Sequence, residues 1–153
     1  MKRKLLIPVF LLLPCFFYAC TNDDRKESGQ SENDIDAARN FIRAALDGKF
    51  DEARSFLLQD SSNVHYIDAA ERNYQKAGIT TRDGYRASSI NIHEINKVND
   101  SATIVIYSNS FMKNHDTLRV MKAKGQWMVD LTYLYEHNAD TLYNKINSSD
   151  TLK

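Results

Sequence analysis

The spacing of apolar residues changes once along this chain, and the change splits it into a helical half and a stranded half. Between Asp34 and Lys76 apolar residues recur every three or four positions, as on one face of a helix; after Gly84 they alternate with polar residues, as on one face of a strand. Helices first and strands second is not the alternating order that builds a parallel sheet. It predicts an α+β fold with the two kinds of element in separate layers.

In the helical half, Ile35, Ala38, Ile42, Ala45 and Leu46 make the first stripe, with Asn33 or Asp34 suited to cap its start and Gly48 to end it. A shorter helix is expected over residues 51–58, where Phe50, Ala53, Phe56 and Leu57 can pack, and a third over 63–76, bearing Val64, Ile67, Ala70 and Tyr74 and stopped by Gly78. In the stranded half, residues 88–94 place Ile90 and Ile92 on one face. Residues 102–111 are β-branched and apolar on both faces, which marks a central strand. Residues 117–122 set Leu118 and Val120 against Arg119 and Met121. The last strand places Trp127, Val129, Leu131 and Tyr133 on one face and Gln126, Met128, Asp130 and Thr132 on the other. Turns at Asn99-Asp100, Lys113-Asn114-His115 and Lys124-Gly125-Gln126 are short, so neighbouring strands must run antiparallel. The expectation is two to three N-terminal helices packed on a curled four-stranded antiparallel β-meander over residues 34–135, followed by a polar tail over 136–153.

The N-terminus reads as an address. Lys2-Arg3-Lys4 precede an apolar run over residues 5–19 that contains Pro8 and Pro14, the pattern of a secretory signal peptide over 1–19. The run falls short of the roughly 20 apolar residues that span a bilayer. Ala19-Cys20 followed by polar residues resembles the lipobox of bacterial lipoproteins, which implies a diacylglycerol on the Cys20 sulfur and a further chain on its amine. At about 0.8 kcal/mol per buried methylene, several chains hold a protein to a membrane without a spanning helix. Thr21, by analogy with lipoprotein sorting, and the pair Asp23-Asp24 point to the outer membrane, on its periplasmic or surface face. Residues 20–33 would then be the lipidated cysteine and a disordered tether, since 21–33 hold no aliphatic or aromatic residue. Such a coil reaches roughly 20 Å.

Removal of the signal leaves 17 basic against 20 acidic residues, a net charge of about −3, with no basic patch, so no nucleic-acid partner is expected. Cys15 leaves with the signal and Cys20 would be acylated, so no thiol remains for a disulfide or metal. His65, His93, His115 and His137 are separated by 28, 22 and 22 residues, and none pairs at helical or strand spacing. No metal or other cofactor is expected. His115 reads as a turn residue and His93 as a solvent-facing strand residue.

Three stretches carry a further resemblance: Asp36-Ala37-Ala38-Arg39-Asn40-Phe41, its continuation from Ala44 to Ala53 through Gly48-Lys49-Phe50, and Gly125-Gln126-Trp127-Met128-Val129-Asp130. Together they resemble the nuclear-transport-factor-2-like, or cystatin-like cone, superfamily, above all the small lipid-anchored members of unknown function in Gram-negative bacteria. The resemblance implies a cone whose mouth can hold a small apolar ligand. In enzymatic relatives such as ketosteroid isomerases, a carboxylate base works there with a Tyr or a protonated Asp. It makes Tyr66, Tyr74, Tyr107, Trp127 and Asp130 candidates for lining a pocket. No motif sets them at catalytic separation, and no catalytic residue is assigned.

Asp100-Ser101-Ala102, Asp116-Thr117-Leu118, Asp140-Thr141-Leu142 and Asp150-Thr151-Leu152 share an acid–hydroxyl–apolar pattern. It resembles an O-glycosylation acceptor motif and makes Ser101, Thr117, Thr141 and Thr151 candidates; the same residues also begin strands and turns routinely. The expected function is that of a lipid-anchored cell-envelope protein whose non-enzymatic cone binds a partner protein or a small apolar ligand. The alternative is a small pocket enzyme of isomerase or hydrolase type. An accessory subunit of a larger assembly is a third reading.

Overall fold

A computed structural model describes residues 31–136. Residues 1–30, which hold the expected signal peptide, Cys20 and most of the expected tether, and residues 137–153 lie outside the described residues. The elements run α1 (Asp34–Asp47), α2 (Phe50–Ser55), α3 (Ser61–Lys76), α4 (Ile79–Ala87), β1 (Ile90–Asn99), β2 (Ala102–Asn109), β3 (His115–Ala123), β4 (Gln126–Asp130) and α5 (Thr132–Glu136). The strands form one antiparallel sheet in the order β1-β2-β3-β4, the expected α+β meander. Among the described residues no helix is long and apolar enough to cross a membrane.

Local chemistry fixes the ends of α1. The Asn33 side chain accepts from the Asp36 amide at 2.9 Å. At the other end Gly48 takes the left-handed conformation, with φ 76°. Its amide donates to the Ala45 carbonyl and that of Lys49 to the Ala44 carbonyl, which satisfies two orphan acceptors of the last turn. Between the caps Ala37, Ala38, Phe41, Ile42 and Ala44 are buried. Three of those five are alanine, so the helix backbone can approach the sheet closely. It packs there in one core with Val105, Leu118, Val120 and Val129, each with no exposed surface. A fully buried side chain of that size contributes about 1.5–3 kcal/mol relative to an exposed one.

The β3–β4 hairpin turns on Lys124-Gly125, with φ 50° and 83°. Positive φ at both central residues matches the twist of the flanking strands. The outer edge of β4 is met at Val129 by the chain leaving α2. The Val129 amide donates to the Phe56 carbonyl at 2.7 Å and the Leu58 amide to the Val129 carbonyl at 2.9 Å. That pairing satisfies both backbone groups of Val129 on this edge.

Four departures from the sequence expectation have physical causes. The helix α3 begins at Ser61 rather than 63, because Asp60 caps it by accepting from the Asn63 amide. The helix α4 was not expected. None of its residues is buried, so it leaves no apolar stripe to read. It is held from outside: the Arg43 guanidinium donates to the carbonyls of Ser88 (2.8 Å), Tyr85 and Arg86 (3.3 Å each), at the negative end of the helix. The last strand stops at Asp130, so Leu131 and Tyr133 do not continue it. The Asp130 carboxylate takes the Thr132 amide and hydroxyl and the Asn63 side chain takes the Leu131 amide, which removes the donors that a ladder would need. Finally, His115 is not a turn residue but the first residue of β3, paired with Ser108.

Candidate functional site

Two adjoining cavities lie where the helical layer meets the open end of the sheet. One, of about 250 Å³, sits between α1, α3 and α4 and is lined by Leu46, Phe50, Ala70, Tyr74 and Tyr85, with Asn73 and Thr81 as polar groups. The other, of about 260 Å³, lies between α1 and the ends of β2 and β3 and is lined by Phe41, Ile42, Tyr107, Asn109 and Asp116. Both are lined by Ala45, Leu46 and Tyr85, so the two cavities adjoin at these residues. Together they make one cleft, apolar along the helices and polar at the sheet.

Aromatic contacts run along this cleft. Phe50 meets Tyr74 edge-on with centroids 5.5 Å apart, Tyr74 stacks on Tyr85 at 6.1 Å, and Tyr85 meets Phe111 edge-on at 5.4 Å. Each such pair adds about 0.5–1.5 kcal/mol beyond its buried area. The backbone places these rings through two devices. Arg43 ties the end of α4 that carries Tyr85 to α1, and an ion pair with Asp47 at 2.7 Å holds Arg43 in turn. The Asn109 side chain accepts from the amides of Phe111 (3.1 Å) and Met112 (2.8 Å), which folds the chain after β2 back toward α4.

At the polar end Tyr107 is buried. Burial first, then the nearby acids Asp116 and Tyr135, push its hydroxyl far above the usual tyrosine range. The phenol is therefore neutral at any physiological pH and keeps its proton to donate. Asp116 lines the same cavity. A ligand seated here would meet aromatic and aliphatic walls, a phenol donor and a carboxylate acceptor.

Of the five pocket candidates read from sequence, Tyr74 and Tyr107 line this cleft. Tyr66 instead stacks on Tyr135, with centroids 4.1 Å apart and planes 9° from parallel. Trp127 packs against the edge of the core under the Lys122 ammonium, 5.7 Å from its centroid. Asp130 does structural work away from the cleft. It is buried, takes the Arg119 guanidinium from the neighbouring strand through Nε (2.9 Å) and Nη2, and binds Thr132 and Asn63. Burial alone would raise its carboxyl. The bonds from Thr132 and Arg119 outweigh that effect and hold it below the usual carboxylate range. Among the modification candidates, Ser101 is exposed in the β1–β2 turn. Thr117 has no exposed surface, so the folded domain does not offer its hydroxyl for glycosylation, and that candidate is withdrawn. Thr141 and Thr151 lie outside the described residues.

Sequence reading missed Tyr85, Asn109 and Asp116. Tyr85 lies on the helix that left no apolar stripe. Asn109 and Asp116 lie at strand ends, where only the sheet register brings them opposite α1. The register also does something unexpected with the histidines. Among the described residues no group of three or more His, Cys, Asp or Glu could hold a metal. Yet His93 and His115, far apart in sequence, meet with ring centroids 4.4 Å apart.

No family model and no curated protein matches the chain. Among solved structures it is similar to the 1.70 Å crystal structure of an NTF-2 like protein of unknown function from Shewanella oneidensis MR-1. The two share 16% sequence identity, over 62% of this chain and 89% of that one, with a TM-score of 0.46.

Proposed function

We propose that this chain is a lipid-anchored binding protein of the cell envelope, held through Cys20, whose α+β domain receives a small, largely apolar ligand in the cleft between α1, α3, α4 and the sheet. The observation that supports ligand binding is the pair of adjoining cavities that share Tyr85 and are walled by Phe50, Tyr74 and Tyr107. An apolar recess with a few convergent polar groups is the usual form of a small-molecule site. Asp116 and the neutral Tyr107 would orient the polar end of a ligand whose body lies along the helices.

The test uses an apolar fluorophore, anilinonaphthalene sulfonate, with the purified protein. Saturable binding near one equivalent, weakened at least tenfold in both Tyr74→Ala and Tyr85→Ala, is the expected result. Absence of saturable binding, or binding indifferent to both substitutions, refutes the cleft as a site. Anchoring is tested separately. Cys20→Ala in the full-length chain is expected to release the protein from the membrane fraction, and continued partitioning with membranes rejects the anchor.

The arrangement that favours an enzyme is the same pair, Tyr107 as donor and Asp116 as carboxylate in one cavity. It favours a reaction that moves a proton at an apolar substrate, of isomerase or hydrolase type. Turnover of a compound bound in the cleft, lost in Asp116→Asn while binding persists, would select this reading over a binding module.

A further inference from the structure

We propose that one end of the domain rests on the membrane: Ile95 and Val98 dip into the lipid headgroup layer, and Lys97, Lys122 and Lys124 meet the phosphates around them. The proposal rests on the reading of Cys20 as a lipid anchor. It goes further, because a tether alone lets any side of the domain turn toward the bilayer.

The register defines two ends of the domain. Asp34, the first residue of α1, accepts from the Thr103 hydroxyl near the start of β2. Thr103 lies opposite Lys97 of β1 and Val120 of β3, and the Lys122 amide donates to the Ser101 carbonyl in the turn before β2. The start of α1, the β1–β2 turn and the β3–β4 hairpin therefore share one end. The last turns of α1 lie at the other. There Arg43 holds the Ser88 carbonyl, and Ala45 and Leu46 border the cleft with Asn109 and Asp116. The 14 residues of α1 set the two ends about 20 Å apart. The chain that leads back to Cys20 joins at Asn33, at the first end.

That end carries side chains suited to a lipid interface. From Ile95 to Asn99 every residue of β1 is exposed, with Ile95 at 47% and Val98 at 56%. Lys97 stands between them. Lys122 and Lys124 are exposed on the hairpin, and the Lys122 ammonium lies over the Trp127 ring. Lysine stems and tryptophan are typical of the boundary between lipid and water. Acids are present too: Glu32, Asp60 and Asp100 lie at this end, while Asp34 and Asp36 are held by Thr103 and Asn33. The fit to lipid thus comes from an apolar pair set among lysines rather than from net charge.

Strand addition by a second copy does not suit this edge. The β1 register shifts at His93 and again at Val98, with Lys97 between them. Bulges and lysines are the features that keep an edge from pairing with another chain. A headgroup layer removes water from Ile95 and Val98 without needing the backbone of β1. Phe111 and Met112 are also exposed, but they follow β2 at the far end. With the near end down, the cleft lies on the side away from the bilayer, and its ligand enters from the aqueous phase.

The experiment uses the mature lipidated protein in vesicles of phosphatidylethanolamine and phosphatidylglycerol that contain spin-labelled lipid. With Cys20 acylated, a fluorophore attaches only to an introduced thiol, in Asp100→Cys at the near end or Asn114→Cys at the far end, both exposed positions. The label at position 100 is expected to be quenched several-fold more than that at 114. Ile95→Asp with Val98→Asp, both on the surface, should remove the difference while the protein stays with the membrane. Equal quenching at the two positions, stronger quenching at 114, or quenching indifferent to the double substitution overturns the surface and leaves the anchor standing. A label at position 100 that is shielded in detergent as protein concentration rises assigns the edge to a second copy and overturns it as well. Protein recovered in the soluble fraction rejects anchor and surface together.

Discussion

Asn63 is the side chain whose removal tests most directly how the helical layer is locked to the sheet. It has no exposed surface. Its amide oxygen accepts from the Leu131 backbone at 2.6 Å, and its nitrogen donates to Asp60 at 2.6 Å and reaches Asp130 at 3.4 Å. Asn63→Ala removes all three at once, with unequal consequences. Asp60 is exposed, and water replaces the lost donor there at little cost. The long contact to Asp130 contributes little, since that carboxylate keeps Thr132 and Arg119. The Leu131 amide is different: it is left without a partner where water does not reach, a loss of about 1–3 kcal/mol. A small cavity adds to this, so the expected total is about 2–3 kcal/mol. For a domain of this size that lowers Tm by roughly 8–12 °C. Urea and thermal unfolding would be measured beside Val64→Ala, an exposed neighbour on the same helix expected to change stability by no more than about 0.5 kcal/mol. A loss below about 1 kcal/mol for Asn63→Ala, with an unchanged urea slope, would refute the lock.

Arg43→Ala should free the carbonyl end of α4; because the guanidinium is partly solvated, the effect is local, with amides of residues 80–88 exchanging about tenfold faster while those of β2 and β3 stay as they were. Exchange that accelerates equally across the sheet would contradict this. Gly48→Ala puts a Cβ 2.6 Å from the Tyr74 ring at a residue with φ 76°, so a loss of about 1–3 kcal/mol and weaker fluorophore binding are expected together. A stable variant with unchanged binding would show that Tyr74 is not fixed by this contact. Asp130 has a depressed carboxyl in the folded protein, so the stability it lends is fully present above the unfolded value near 3.9 and is lost as pH falls through the lower folded value. Asp130→Asn should be less stable at neutral pH and should lose less further stability than the parent below about pH 4; parallel curves would disprove the assignment.

How far the sequence reached depends on where the ordering force lies. α1 was legible end to end, because its cap, its alanine-rich stripe and its C-terminal glycine are all local. The β3–β4 turn was legible for the same reason. α4 was not, since what orders it is an arginine more than thirty residues upstream. The strand ending at Asp130 reads as continuing to Tyr133, because apolar alternation persists there. Only a buried asparagine from α3 reveals that the ladder has no donors left. The resemblance alone made all five residues pocket candidates; Tyr74 and Tyr107 line the cleft, while Trp127 and Asp130 do not. Their side chains were claimed by Lys122 and Arg119 instead, through cross-strand pairing that spacing alone does not reveal. The contact between His93 and His115 is a product of register and of the shift at His93, and neither has a sequence signature at this level.

The exposed character of α4 has a consequence for affinity. A helix with no fully buried residue is expected to open at a lower free-energy cost than unfolding of the domain. The apparent dissociation constant of anything bound there is the intrinsic constant divided by the fraction of molecules with α4 in place. Affinity can then be adjusted without changing a single residue that touches the ligand. Strengthening the Arg43 clamp raises that fraction and tightens binding, and loosening it weakens binding, while the shape of the closed cleft stays the same.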